Sequence, residues 1–418
     1  MLTKIKYHTA RVHWQMGQAL LPEHFYAQEE GLRQEVHQRF LMSGVPMWGV
    51  ARLKWDAFQI LHGVVSLQEF SLVLPSGSLI DIPGNTQPTS FSLESAGKSQ
   101  VSLYVHLETG YDVSSDDEDG LASDEAIERI LQRVTLSSVP YLDTAQQSFL
   151  LAKFDKDIEG RWQLDGSYIP PMIRLGPSPF FESVLGRMRG MGVSFRQVLT
   201  AEIQQSHLGG ESQLAAKQCM RSLFRYINSL ANIGQEIQPH PYELFCLLRD
   251  FYLDVCVYRD SQPRELAFTY KHEAIGDSLE KLLAWSEEQV SCTRSEVPYA
   301  VFEQRDGQWV CTLPSGAKRA KDVYWLVQRK HTAEGLDLCG LKLAAPSRAA
   351  LIYQRALRGI PYERIKRPPF YHSFSGEVDF YVLQPGVEWD YAVREGKVAF
   401  FERPDLGDAR FFIYWRND

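Results

Sequence analysis

The sequence has no Cys-x-x-Cys pair, no run of 18 apolar residues, no excess of basic charge and no Gly-x-Ser-x-Gly segment. Each absence removes a class of function. The six cysteines (Cys219, Cys246, Cys256, Cys292, Cys311 and Cys339) are scattered through the second half. They are therefore expected as reduced, mostly buried thiols in the cytoplasm. Without a long apolar run, no segment is expected to span a membrane. A net charge of −8 argues against a nucleic-acid partner, which needs a basic face. The opening MLTKIKYHTARVHW lacks the apolar stretch of a secretory signal, so no signal peptide is expected. What remains is a soluble globular composition, 44% hydrophobic and 23% charged over 418 residues. That length predicts about three domains.

Several catalytic or metal-binding patterns fail where the chemistry needs them. Gly97-Lys98-Ser99 resembles the end of a phosphate loop, but Ser92 stands where its first glycine belongs and a strand follows instead of a helix. In the acidic loop Ser114–Gly120, Asp117, Asp119 and Gly120 match a calcium loop. Ser115 and Ala126 then occupy the two positions that need carboxylates. His272-Glu273-Ala274-Ile275-Gly276 lacks the second histidine of a zinc helix. The eleven histidines do not gather at ligand spacing, so no metal, cofactor or catalytic residue is expected. A Ser, His and Asp set assembled only by folding stays open at this stage.

The patterning predicts an α+β, multidomain chain. Residues 1–175 read as an antiparallel β-sandwich. Val101, Leu103, Val105 and Leu107 point one way, and Ser102, Tyr104, His106 and Glu108 the other. Two further strands meet at the turn Pro75-Ser76-Gly77. Pro170, Pro171, Pro177 and Pro179 suggest a stiff linker, with Ser178 as N-cap and Pro179 at the first helical position. Residues 176–296 read as a central bundle of about four helices, with Leu244, Leu248, Phe251, Tyr252 and Val255 as candidates for the bundle core or a subunit interface. Residues 297–418 return to strands and form a small α+β domain. One helix interrupts it, with Ser347 as N-cap and Gly359 as stop. Leu-Pro-Ser-Gly occurs at Leu74 and Leu313, and both copies read as strand-to-strand turns.

Two stretches are candidates for binding. In VHWQMGQALLPEHF, the residues Trp14, Met16, Leu20 and Leu21 are too apolar for a free loop. They either cover the open end of the sandwich or insert into a partner. Pro22 starts a helix whose stripe Phe25, Leu32, Val36 and Phe40 is expected to pack along its length, and His24 is read as a hydrogen-bonding residue of the turn. From Lys342 to Arg367 there are seven basic residues against one acid, Glu363. Arg355, Arg358, Arg364, Lys366 and Arg367 in that stretch could steer an acidic partner.

The landmarks Trp14, Gly17, Leu20, Pro22, His24 and Phe25 are followed by YIPPMIRLGPSP, by HPYELFCLLRDFYLDVCVY and by LKLAAPSRAALIYQRALRGIPYERIKRPP. In that order the chain resembles the TssK (ImpJ/VasE) family of type VI secretion baseplate subunits. It departs from the family pattern at QMGQALL and in the acidic loop. The resemblance implies a shoulder domain like that of phage receptor-binding proteins, a helical neck and a head. It implies a non-enzymatic homotrimer that links the wedge proteins TssF and TssG to the cytoplasmic parts of TssL and TssM. Its implied place is the cytoplasm, at the inner face of the cytoplasmic membrane, with no direct membrane insertion. The competing reading is a phage-tail-like receptor-binding protein that stacks carbohydrate on aromatics such as Trp389, Tyr414 and Trp415.

Overall fold

The structure is a computed structural model that describes residues 8–115, 128–176, 178–205, 211–233, 237–292, 299–329, 338–366, 368, 378–406 and 409–416. It divides into two compact units: Met1–Phe195 with Ser222–Ser291, and Arg196–Arg221 with Cys292–Asp418.

The first unit opens with α1 (Pro22–Leu41), β1 (Gly49–Lys54), α2 (Ala57–Leu61), β2 (Val64–Leu67), β3 (Glu69–Val73), β4 (Leu79–Ile82) and β5 (Thr89–Ser92). The longer strands β6 (Gln100–Ser115), β7 (Glu128–Ser137) and β8 (Ala145–Lys156) follow, with the short β9 (Trp162–Leu164). They form antiparallel sheets in the orders β1-β3-β4, β2-β5 and β7-β6-β8-β9. Alternation along β6 buries Val101, Leu103, Val105 and Leu107. His106, expected on the outer face, is also fully buried. Its ring nitrogens lie 2.8 Å from Ser148 Oγ and 2.7 Å from Ser137 Oγ, on the strands that flank β6. A central strand is covered on both sides, which alternation alone does not reveal.

The proline-rich stretch is no free linker. Pro170 and Pro171 are buried, and Pro171 O accepts the Val50 N–H at 2.8 Å. Gly49, at φ 115°, lies so close that a Cβ would sit 2.3 Å from that carbonyl, so only glycine fits. The next helix begins at Glu182 rather than Pro179, because Ser178 and Pro179 are spent in a turn. It is α3 (Glu182–Gln205), followed by α4 (Glu211–Asn232), α5 (Pro241–Tyr258) and α6 (Ile275–Ser291). Within the first unit, Arg187 of α3 reaches Glu280 and Glu287 of α6 at 2.7 Å. Leu244, Leu248, Phe251, Tyr252 and Val255 are all buried along α5. The Phe251 ring stacks on Tyr226 at 4.2 Å and meets Phe195 edge-on at 6.0 Å.

The second unit carries β10 (Tyr299–Val301), β11 (Glu303–Arg305), β12 (Gln308–Thr312), α7 (Ser315–Arg319), β13 (Asp322–Gln328), α8 (Pro346–Gln354), β14 (Tyr362–Ile365), β15 (Val378–Leu383), α9 (Val387–Glu395), β16 (Lys397–Phe401) and β17 (Arg410–Arg416). Its two antiparallel sheets run β10-β17-β13-β15-β14 and β11-β12-β16. Trp325 is fully buried among the rings of Tyr362, Tyr381, Phe400 and Phe411. The second Leu-Pro-Ser-Gly copy starts α7 rather than a hairpin turn. Ala345, not Ser347, stands at the N-cap of α8, with Pro346 at its first position. Ser347 donates instead to Glu395 at 2.7 Å. The helix stops at Gln354, well before Gly359. Gly359 is needed for close approach, since a Cβ there would lie 2.4 Å from Leu343 O. None of the six cysteines is in a disulfide, but only Cys219, Cys256 and Cys311 are buried, while Cys292 and Cys339 are exposed.

Candidate interaction surfaces

The N-terminal arm is built by its own first turn. Leu21 is extended, Pro22 holds the first helical position, and His24 Nδ1 accepts the Leu21 N–H at 3.2 Å. Trp14 lies edge-on to His24 at 5.7 Å and tilted against Phe25 at 5.8 Å, so the apolar stretch folds back on the start of α1. It does not sink into the unit. Leu20 is 64% exposed, and Met16 and Leu21 are also exposed.

The amphipathicity of α1 is inverted. Not one of its residues is buried. The half-buried positions are Gly31, Gln34, Glu35, His37 and Gln38, together with His24. The apolar stripe Phe25, Leu32, Val36 and Phe40, expected to pack, is between 40% and 54% exposed. The helix therefore turns polar side chains toward its own unit. His37, for example, lies against the β3–β4 turn, where a Cβ on Gly77 would meet its ring at 2.3 Å. An apolar stripe held in water is costly unless a partner covers it.

The arm is anchored at its root by two histidines that sequence reasoning missed. His240 caps α5: its Nδ1 accepts the Tyr242 N–H at 3.0 Å, so its Nε2–H donates to Pro46 O at 2.9 Å. His272 Nε2 lies 2.8 Å from Trp48 O, and its Nδ1 lies 2.9 Å from the Tyr270 hydroxyl. Trp48 packs edge-on to His272 at 5.0 Å. Burial pushes both imidazoles below their ordinary pKa and holds them neutral. His240 next to Pro241 could have been read as a cap before a first-position proline. Its stacking on His272 has no local signal.

The basic stretch of the second unit is smaller than the sequence suggests. Arg364 is paired with Asp379 at 2.8 Å, and Arg329 holds the other oxygen of the same carboxylate at 3.0 Å. Arg348 pairs with Glu388 at 2.6 Å and lies over the Tyr391 ring. Lys342 donates to Ile352 O at 3.3 Å. Arg355, Arg358 and Lys366 remain as exposed cations. Arg367 lies outside the described residues. The aromatics offered for sugar stacking are not a platform. Trp415 is buried, Trp389 packs against the core, and Tyr414 is partly buried against Phe412 and its neighbours. Among the described residues no cluster of three His, Cys, Asp or Glu could hold a metal, and no helix is long and apolar enough to cross a membrane.

The family model described as "Bacterial Type VI secretion, VC_A0110, EvfL, ImpJ, VasE" matches residues 24–415. A curated relative, the type VI secretion system baseplate component TssK1 of Pseudomonas aeruginosa, is 22% identical over 293 residues. That alignment covers 64% of this chain, and the chain spans 66% of the relative's length. A crystal structure of TssK is similar over 98% of this chain and all of its own, with a TM-score of 0.58 at 18% identity. A chain of a TssK–TssF–TssG baseplate subcomplex of the type VI secretion system, solved by cryo-electron microscopy, is similar over 68% of this chain and 99% of its own. Its TM-score is 0.57 at 18% identity. At such identities the structural likeness speaks for the fold.

Proposed function

Because this chain belongs to the bacterial type VI secretion family of ImpJ and VasE, we propose that it is a non-enzymatic structural adaptor of the secretion baseplate. In this reading three copies associate. The N-terminal arm docks on the wedge proteins TssF and TssG, and the C-terminal part meets the cytoplasmic regions of TssL and TssM. The shoulder, neck and head take residues 1–175, 176–296 and 297–418. The assembly works in the cytoplasm, at the inner face of the cytoplasmic membrane.

The observation that carries the reading is the inverted helix α1. A family member of this kind needs a surface that binds other proteins, and α1 with Trp14, Leu20 and Leu21 offers apolar side chains that its own unit leaves uncovered. Trp is among the residue types enriched at interface hot spots, which suits Trp14 as the anchor, with the leucines beside it as the surrounding contacts that exclude water. The exposed cations Arg355, Arg358 and Lys366 support an acidic partner for the second unit. The test is sedimentation of the purified chain, alone and mixed with TssF–TssG. A trimer that co-sediments with the wedge is expected; a monomer that leaves the wedge free would overturn the proposal.

A further inference from the structure

One end of the second unit gathers cations from two distant stretches of sequence. The chain leaves β12 at Thr312, turns through α7 and enters β13 at Asp322. Lys318, Arg319 and Lys321 lie on this short path, and all three are exposed. Further on, α9 ends at Glu395, and β16 starts at Lys397, directly opposite Thr312. Arg394 and Lys397 are exposed as well. The two stretches touch. The Leu313 N–H donates to Gly396 O at 2.9 Å, and a Cβ on Gly396 would meet Lys318 Nζ at 3.0 Å. α7 also lies on Trp415, near the end of β17, where a Cβ on Gly316 would meet the indole nitrogen at 2.7 Å.

The described structure leaves these five cations without a carboxylate. Among the described residues none of them is in a salt bridge. Two acids stand at the same end. Glu395 accepts the Ser347 hydroxyl at 2.7 Å, and the half-buried Asp322 stands opposite Arg416 of β17. Asp418 lies outside the described residues. Positive charge therefore prevails here, in a chain whose net charge is −8.

Composition selects the partner. Neither Thr312–Asp322 nor Arg394–Lys397 has an exposed large apolar side chain. A protein interface needs such anchors at its centre, and lysine is depleted there. This end offers three lysines and no anchor. A nucleic acid would run on past one end and meet the rest of an acidic chain. An anionic bilayer is touched by one end alone. Its field draws in each Lys or Arg within a Debye length of the surface, about 8 Å at physiological salt. Among the described residues no helix is long and apolar enough to cross a membrane, and a contact by charge alone needs none.

We propose that this end of the second unit rests on an anionic lipid surface, with Lys318, Arg319, Lys321, Arg394 and Lys397 set against the headgroup phosphates. The contact is peripheral, because no apolar side chain is there to enter the bilayer. It agrees with the membrane-side place given to the assembly but does not rest on the wedge contact. Vesicle binding and wedge co-sedimentation are read separately, and either can fail alone.

The test is co-sedimentation of the full chain with vesicles of phosphatidylcholine, with and without phosphatidylglycerol. Binding is expected only with phosphatidylglycerol, and it should fall as salt is raised. Lys318→Gln with Lys321→Gln and Lys397→Gln should weaken it by ~10-fold or more at an unchanged melting temperature. Arg319→Gln with Arg394→Gln serves if that variant folds poorly. Arg305→Gln with Lys366→Gln is the control, since Arg305 lies beside the start of β12 and Lys366 beyond the end of β14, away from this end. The control should bind as the wild type does. An equal loss in the control would make binding a property of the whole unit's charge and overturn the assignment. So would equal binding to both vesicles, or binding to neither. Inorganic phosphate should displace the vesicles no more than chloride at the same ionic strength. Stronger displacement by phosphate would mark a small-anion site, and binding of labelled polyglutamate without vesicle binding would give this end to an acidic polypeptide; either result overturns the proposal.

Discussion

His240 and His272 lie stacked, with ring centroids 5.3 Å apart and planes 16° from parallel, and each holds one backbone carbonyl of the segment that joins α1 to β1. Both rings use one nitrogen as donor and the other as acceptor. Protonating His240 would place a new N–H against the Tyr242 N–H. His272 is more tolerant, since the Tyr270 hydroxyl can turn to accept. The carboxylates of Glu243 and Glu273 pull the other way, but more weakly than burial.

The first prediction follows from that pair. The folded pKa of each ring lies below the ordinary value of 6.5. The unfolded chain therefore binds more protons, and stability falls as pH drops below about 6.5 toward the folded value. The stability tied to the pair is present above that pH. Buried His106 acts in the same direction. Melting temperature should decline between pH 7 and pH 5, and His272→Gln should lower it at pH 7 while making the decline shallower. An equal slope in the variant would remove His272 from the pH response.

The second prediction concerns the core. Phe251 is buried between Tyr226 and Phe195, so Phe251→Ala should cost roughly 3–5 kcal/mol. Denaturant unfolding of the full chain measures this. A loss below about 1 kcal/mol would mean that the neighbouring rings collapse into the space.

Much of this core was legible beforehand because its signals are local. Leu244, Leu248, Phe251 and Val255 repeat at helical spacing, and all four are buried. The β6 alternation marked its buried face correctly. The failures have one physical origin, namely contacts made far along the chain. His106 is buried because β7 and β8 flank it with serines. Pro171 is packed because Gly49 lets β1 approach it. The α1 stripe was found by its period, but a period does not say which face turns inward, and here the polar face does. The basic count from Lys342 to Arg367 could not show that Arg364 is taken up by Asp379.

That last point yields the third prediction. Arg355, Arg358 and Lys366 are exposed, so changing all three to Glu should leave the melting temperature unchanged. If the second unit meets the cytoplasmic regions of TssL and TssM, as proposed, the change should slow that association and remove most of its salt dependence. Arg364→Glu is different, because it sets a second carboxylate beside the buried Asp379 and should destabilise the second unit. Stopped-flow binding at two ionic strengths, with thermal melts of each variant, separates the two effects. Unchanged association of the triple variant would leave these cations as solvated surface.

The last prediction returns to the arm. Leu20 is 64% exposed, so Leu20→Asp buries no charge and should leave melting unaffected. If the arm docks on the wedge, the same change desolvates a carboxylate in the interface and should weaken TssF–TssG binding by ~2 kcal/mol or more. Leu32→Asp with Val36→Asp probes the outward stripe of α1 in the same way. Both side chains are exposed, so the fold should tolerate the pair. A loss of wedge affinity in both variants would extend the docking surface along α1. A loss only with Leu20→Asp would confine it to the Trp14–Phe25 turn, where the Trp14, His24 and Phe25 rings hold the apolar stretch in place. Wild-type affinity in both, with normal melting, would remove the arm from the wedge interface.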